Sequence, residues 1–241
     1  MAETYRFALV GNPNVGKSSL FNALTGLHQH TGNWPGKTVA TAAGTCSIDG
    51  AAVELIDLPG TYSLSARSPE EEVAAEYISF GCADAVIVVC DATALERNLY
   101  LALQVMEITD HVVICVNLMD EAGKRGITVD LPRLSQLLGV RVVGTSARQK
   151  KTLPALLRAA VAAAQERHRK PIPVRYGEAI EAGLFSIEAR LDELLPGSMP
   201  NHRWIAMQLL TGGDTAICAL EKKLGRPLEE DPFLSEAVRL G

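Results

Sequence analysis

No window of 18 consecutive apolar residues occurs in the 241-residue sequence, and the richest apolar runs, Ala85–Cys90 and Val112–Val116, are only strand-sized. A segment able to cross a bilayer as a helix is therefore not expected. The start, Met1-Ala2-Glu3-Thr4-Tyr5-Arg6, lacks a basic stretch followed by an apolar one, so it does not read as a secretory signal. Cysteine is sparse: Cys46, Cys82, Cys90, Cys115 and Cys218 are odd in number and form no C-x-x-C pair. Reduced thiols in a cytosolic compartment are expected, with Cys90 and Cys115 packed as small hydrophobes. Charge of one sign is also not in large excess. Lys and Arg total 23 against 28 Asp and Glu, a net charge of −5, so no nucleic-acid partner is expected. At 47% hydrophobic and 21% charged, the composition is not that of a disordered chain. The length suits one or two domains, and roughly 70–75% of the unfolded surface can be buried without a staple or metal.

What is present alternates between two patterns. Phe7–Val10, Ala52–Leu58, Ala85–Cys90, Val112–Asn117 and Val140–Thr145 are near-continuous apolar runs, as in strands covered on both faces. Thr45–Ile48 precedes Asp49-Gly50, a hairpin signal, which pairs it antiparallel with Ala52–Leu58. Between these six strands lie helix candidates at Lys17–Thr25, Pro69–Phe80, Leu95–Ile108, Leu131–Leu138 and Leu153–Arg169. The reading is α/β, with a mostly parallel six-stranded sheet covered by helices on both faces. Pro171-Ile172-Pro173 reads as an extended linker. Beyond it, Ile180, Leu184, Ile187, Leu191 and Leu194 mark one amphipathic helix, stopped by Pro196-Gly197. Arg203–Leu210 and Thr215–Leu224 mark two more. Two domains are expected, 1–170 and a small all-helical 171–241.

Four motifs carry chemistry. Gly11-Asn12-Pro13-Asn14-Val15-Gly16-Lys17-Ser18, followed by Ser19, matches G-x-x-x-x-G-K-[ST] between a strand and a helix. Its glycines let main-chain N–H groups wrap a phosphate, and the helix adds its positive end. Lys17 supplies a charge at the β- and γ-phosphates, and the Ser18 hydroxyl suits Mg²⁺. Asp57-Leu58-Pro59-Gly60 ends a strand about 40 residues later; Asp57 suits the Mg²⁺ hydration shell and the Gly60 N–H the γ-phosphate. In Asn117-Leu118-Met119-Asp120, the Asp120 carboxylate accepts from the guanine N1–H and 2-amine, a donor pair that adenine lacks. Ser146-Ala147-Arg148 offers a backbone N–H to guanine O6, and is the weakest of the four.

In this order the motifs resemble the Ras-like, TRAFAC-class P-loop GTPases. Gly11-Asn12-Pro13-Asn14 together with Gly32-Asn33-Trp34-Pro35-Gly36-Lys37-Thr38-Val39 resembles the cytoplasmic G domain of the FeoB family of bacterial ferrous iron transporters. So do Asp130–Gly139 and Arg203–Leu210, which are similar to that family's D-x-x-x-L-x-x-x-L-G and R-W-x-A-x-x-L-L segments. The resemblance implies GTP and GDP as ligands and slow, K⁺-stimulated hydrolysis. It makes Thr38 the switch threonine on Mg²⁺ and the γ-phosphate. Asn14 would hold K⁺ with the carbonyls of Gly32 and Trp34, and the catalytic set would be Asn14, Lys17, Thr38 and Gly60. It further implies a GDP-dissociation-inhibitor-like role for 171–241, a membrane-embedded iron-permeation domain in the native polypeptide, a place at the cytoplasmic face of the inner membrane, and possible homo-oligomers. A potassium-type GTPase acting in RNA modification or ribosome assembly is the alternative. Thr61 stands where Ras-like proteins carry glutamine, and Leu118 and Arg148 stand where lysines are usual. His28 and His30 read as solvated rather than ligating, and Trp34 either as a mobile loop residue or as an anchor packed on the G domain.

Overall fold

The computed structural model describes residues 3–26, 29–34, 39–65, 68–80, 83–166, 171–195, 202–211, 217–218, 220–221 and 224–235. Thr38, His28, Cys82, Pro196-Gly197 and part of the Thr215–Leu224 segment lie outside this set. The described chain forms two compact units, residues 1–172 and 173–241.

The first unit contains β1 (Thr4–Gly11), α1 (Lys17–Thr25), β2 (Gln29–Asn33), β3 (Ala40–Ile48), β4 (Ala51–Asp57), α2 (Pro69–Phe80), β5 (Ala85–Asp91), α3 (Leu95–Ile108), β6 (Val112–Asn117), α4 (Met119–Lys124), α5 (Leu131–Leu138), β7 (Arg141–Gly144) and α6 (Leu153–Gln165). The strands form one sheet in the order β2-β3-β4-β1-β5-β6-β7. The β2–β3 and β3–β4 pairs are antiparallel and the remaining pairs parallel. The sheet has seven strands rather than the six expected. The addition is β2, whose Gln-His-Thr-Gly-Asn sequence has neither an apolar run nor alternation, and which holds to the edge through its backbone ladder with β3.

Alternation within the strands explains the two covered faces. Phe7 and Leu9 of β1, Ile87 and Val89 of β5, and Val113 and Cys115 of β6 pack with Leu20 and Phe21 of α1 and Leu156 and Ala160 of α6. The intervening Val10, Val88 and Val116 are buried on the opposite side, where α3 lies against β5, β6 and β1. Local chemistry sets the ends of the elements. Asp49 and Gly50 take positive φ of 50° and 87°, as the β3–β4 hairpin turn requires. Asp130 caps α5 by accepting from the Arg133 N–H at 2.9 Å, and Gly139 closes it at φ 72°.

The second unit contains α7 (Glu178–Leu194) and α8 (His202–Leu210). Leu184, Ile187 and Leu191 are buried, as are Trp204, Ile205 and Leu209, while Met207 is half-buried, so the apolar side of α8 is core packing. Arg203 forks onto Glu181 at 2.8 and 3.0 Å and donates to the Val174 carbonyl at 3.0 Å, tying α8 to α7 and to the segment before it. No helix among the described residues is long and apolar enough to cross a membrane.

Candidate nucleotide site

Strand β1 delivers the chain to the carboxyl rim of the sheet at Gly11. A Cβ there would lie 2.6 Å from the Val89 carbonyl oxygen, so only glycine lets β1 and β5 approach at that point. The loop then turns through Asn14 at φ 68° and Gly16 at φ 80° before α1 begins at Lys17. Val15 is buried, while Asn14, Ser18 and Ser19 are exposed. This places the first-turn amides of α1 and the Ser18 hydroxyl on the open side of the rim.

The aspartate motif arrives beside this loop. The Leu58 N–H donates to Leu9 O at 3.0 Å and the Thr61 N–H to Gly11 O at 3.2 Å, while Gly60 lies against Pro13. Lys17, only 9% exposed, donates from Nζ to Asp57 Oδ1 and to Leu58 O, each at 2.5 Å. Thr61 is buried and its hydroxyl donates to Ser63 O at 2.7 Å, so it is turned away from the rim and positions no water there. Asn12 is buried too, with Oδ1 lacking a hydrogen-bond partner among the described residues; it borders a cleft of about 440 Å³ with Tyr62, Ser63, Arg97 and Tyr100. The larger cleft, about 630 Å³, lies between the start of α3 and α5 and contains none of the motif residues.

The base-reading motif follows β6. Asn117 is fully buried and donates from Nδ2 to Val15 O at 3.0 Å, which ties it to the phosphate loop. Leu118 adopts φ 61° and its side chain lies over Gly16, so the chain reverses into α4 with Asp120 in its first turn. The Ser146 hydroxyl donates to the Asp120 carboxylate and holds it below the usual carboxylate range, against a smaller opposing effect of burial. Asp120 Oδ1 is buried with no hydrogen-bond partner among the described residues. An ionised, orphaned acceptor at this place fits a base that presents paired donors. Ser146 is itself buried, and its N–H donates to Thr152 Oγ1 at 3.2 Å. Ala147 is half-buried, whereas Arg148 is 79% exposed and pairs with Glu121 at 3.2 Å.

Two positions lie at the sheet edge. Gly32 is paired with Thr41 in edge strand β2, and Trp34 donates its N–H to Val39 O at 2.8 Å. Edge strand β2 stands three strand positions from β1, about 14 Å at the ordinary strand spacing. The Trp34 ring meets Tyr77 of α2 edge-on at 5.4 Å, an anchored tryptophan. Thr38 lies outside the described residues, as does His28; His30 is exposed. One residue that the motif reading passed over is Thr145. It is fully buried, donates to Asn117 Oδ1 at 3.2 Å, and accepts the Met119 N–H at 3.1 Å. Its signal was a hydroxyl at a strand end directly before Ser146-Ala147-Arg148.

A profile of the family described as "Ferrous iron transport protein B" matches residues 5–160. The Fe(2+) transport protein A/Fe(2+) transporter FeoB fusion protein of Porphyromonas gingivalis is 40% identical over 232 residues, covering 94% of this chain and 26% of the relative. The Fe(2+) transporter FeoB of Escherichia coli O157:H7 is 38% identical over 210 residues, 85% of this chain and 26% of the relative. The chain thus spans about a quarter of the length of these relatives. Among solved structures, the cytosolic domain of the T. maritima FeoB iron transporter in a GDP form superposes with TM-score 0.84 at 37% identity, covering 100% of this chain and 92% of that one. The cytosolic domain of L. pneumophila FeoB gives TM-score 0.80 at 34% identity, over 97% and 94% of the two chains.

Proposed function

The chain belongs to the ferrous iron transport protein B family, and from that premise we propose that it is the guanine-nucleotide-binding, GTP-hydrolysing regulatory part of a ferrous iron transporter. Its fold is the GTP-binding P-loop fold of that family. The observation that carries the reading is Asp120, its ionised form favoured by Ser146, with Oδ1 buried and unpaired beside a phosphate loop that Asn117 grips directly. Adenine offers no matching donor pair and would leave that oxygen unpaired, the kind of penalty by which sites reject analogues.

In this reading the main-chain N–H groups of residues 12–18 and the Lys17 ammonium hold the phosphates. Ser18 and Asp57, both hard oxygen donors at one rim, would hold Mg²⁺, which neutralises charge on the β- and γ-phosphates when bound; by family resemblance Thr38 joins them. The Gly60 N–H, set against Pro13, faces the γ-phosphate. Potassium stimulation rests on Asn14 and calls on Gly32 and Trp34, which would leave the sheet edge to reach the loop. The helical unit slows GDP release. In the full-length protein these states act on a membrane-embedded iron pathway from the cytoplasmic face. The relatives give no support to the RNA-related alternative.

The test is equilibrium binding of GDP and ADP with Mg²⁺, together with single-turnover GTP hydrolysis in K⁺ and in Na⁺. Guanine selectivity, with faster turnover in K⁺ that Asn14→Ala abolishes, is the expected result. Equal binding of ADP overturns the guanine reading, and equal rates in the two salts overturn the potassium one.

A further inference from the structure

The smaller cleft, about 440 Å³, has the size of a small-ligand pocket and a chemistry that the four motifs do not use. Its walls are held from both ends. The Thr61 N–H donates to Gly11 O at 3.2 Å and the Leu64 N–H to Gln104 Oε1 at 2.8 Å, so Tyr62 and Ser63 bridge from the phosphate loop to α3. Asn12, which lines the cleft, is 2% exposed, yet its Oδ1 accepts nothing from the described residues. A buried acceptor left open is costly, so it marks a place for a donor. Arg97 is exposed and has no ion pair with a described carboxylate; its guanidinium lies over the Tyr62 ring, 5.4 Å from the centroid. With one face on the ring, the N–H edge stays open, and that edge matches a planar carboxylate through two parallel hydrogen bonds. Tyr62 and Tyr100 are 50% and 60% exposed and add aromatic area on either side. Tyr100 follows Arg97 by three residues on α3, the spacing of neighbours on a helix surface. Among the described residues no acidic side chain lines this cleft. The larger cleft differs, since Glu96 and Asp130 line it together with Arg97 and Arg133 and no sign of charge is preferred there.

We propose that this cleft is a binding site for a small aromatic carboxylate that also carries an N–H or O–H donor. The carboxylate lies on the open edge of Arg97, the ring lies against Tyr62 and Tyr100, and the donor reaches Asn12 Oδ1. None of these contacts requires a nucleotide, so the site stands whether or not the rim selects guanine.

The test titrates the 241-residue chain, free of nucleotide, with 3- and 4-hydroxybenzoate, benzoate and the two matching hydroxybenzamides, and follows backbone amide chemical shifts. At least one hydroxybenzoate should bind saturably with a Kd of about 1 mM and shift residues 62–65. Benzoate, which lacks the donor, should bind about fivefold more weakly, and the matching benzamide, which lacks the charge, about tenfold more weakly. Arg97→Gln should abolish the preference for the acid over the amide, and Tyr100→Ala should weaken the hydroxybenzoate about threefold. Both positions are exposed, and GDP affinity measured in parallel should match the parent. Absence of saturable binding at about tenfold higher concentration overturns the proposal. So do equal affinities for hydroxybenzoate and benzoate, an acid preference that survives Arg97→Gln, or shifts confined to residues away from the cleft. A parent chain that bound ADP as tightly as GDP would overturn the guanine reading alone.

Discussion

Replacing Asp120 by asparagine changes one atom's chemistry and almost none of its volume, so it isolates the charge. In the native site the Ser146 hydroxyl favours the ionised carboxylate, and Oδ1 takes nothing from the described residues. A guanine would bring two donors to this carboxylate, and hydrogen bonds to a charged group contribute about 1.5–3 kcal/mol each. The asparagine amide retains at most one acceptor and turns an N–H₂ toward the base. The expected loss in GDP affinity is about 3–5 kcal/mol, or roughly 10²–10⁴-fold. Without nucleotide the variant should melt slightly lower than the parent, because the depressed carboxyl shows that the folded state favours the ionised form, which asparagine lacks. A xanthine nucleotide, with a carbonyl in place of the 2-amine, should gain affinity for the variant, since it accepts from the new amide. The pH dependence has a definite sign. Because the folded carboxyl sits below its ordinary value, any stability it contributes is complete above the unfolded pKa and is lost as pH falls through the depressed folded one. Guanine binding should therefore stay level from neutral pH into the ordinary carboxylate range. Competition titration of GDP, XDP and ADP with both proteins is the assay. A variant that binds GDP within about threefold of the parent, a change of well under 1 kcal/mol, would refute the reasoning.

Three further expectations follow from single contacts. Gly16→Ala puts a Cβ 2.7 Å from Asn117 Nδ2 at φ +80°; strain of about 1–3 kcal/mol and displacement of Asn117 should lower both the melting temperature and GDP affinity, and an unchanged affinity would show that Asn117 is not held by this packing. Trp34 stacks edge-on against Tyr77, so in a Trp204→Phe background its emission should change when a GTP analogue binds in K⁺ and not in Asn14→Ala; emission that never moves means that Trp34 keeps its place against Tyr77. In the helical unit, the Arg203 fork lowers the Glu181 carboxyl from 4.5 to about 2. Its contribution is thus present above pH 4.5 and lost as pH falls toward 2, so Glu181→Gln should flatten the acid limb of thermal unfolding followed by Trp204 fluorescence.

The phosphate loop was legible because its demands are local: Gly11 must let two strands touch, and Gly16 must turn left-handed beneath an asparagine. Helix α2 starts where Pro69 and its acidic residues stand, and α1 and α5 stop at Gly26 and Gly139, for the same reason. Strand β2 was not legible, since Gln-His-Thr-Gly-Asn offers no apolar side to bury and is held only by an antiparallel ladder formed with a strand that follows it. Thr145 escaped for a different reason. A buried hydroxyl matters through a partner 28 residues away in sequence, and no spacing rule connects a strand-end threonine to the strand beside it. The placement of Gly32 and Trp34 at the sheet edge likewise depends on tertiary pairing that residue types alone do not encode.

The pairing of Lys17 with Asp57 shows why the first two motifs must be read as one device. A lysine that is 9% exposed and a carboxylate whose side chain is 13% exposed neutralise each other at 2.5 Å on the rim. Neither charge is tolerable alone at that burial, since breaking such a pair by removing one member costs about 3–5 kcal/mol. A polyphosphate that draws the ammonium toward its own oxygens would strand Asp57 unless a cation arrived beside it. A divalent ion carried by the same phosphates supplies that cation, and Asp57 lies at the strand tip where the Ser18 hydroxyl also opens to the rim. In the proposed reading the two motifs, 40 residues apart in the chain, would act together: the Lys17 ammonium would turn to the phosphates, and Asp57 with Ser18 would hold the metal. Leu58, which directly follows Asp57, also holds Lys17 through its carbonyl, so one ammonium ties the strand tip to the start of the segment running on to Gly60.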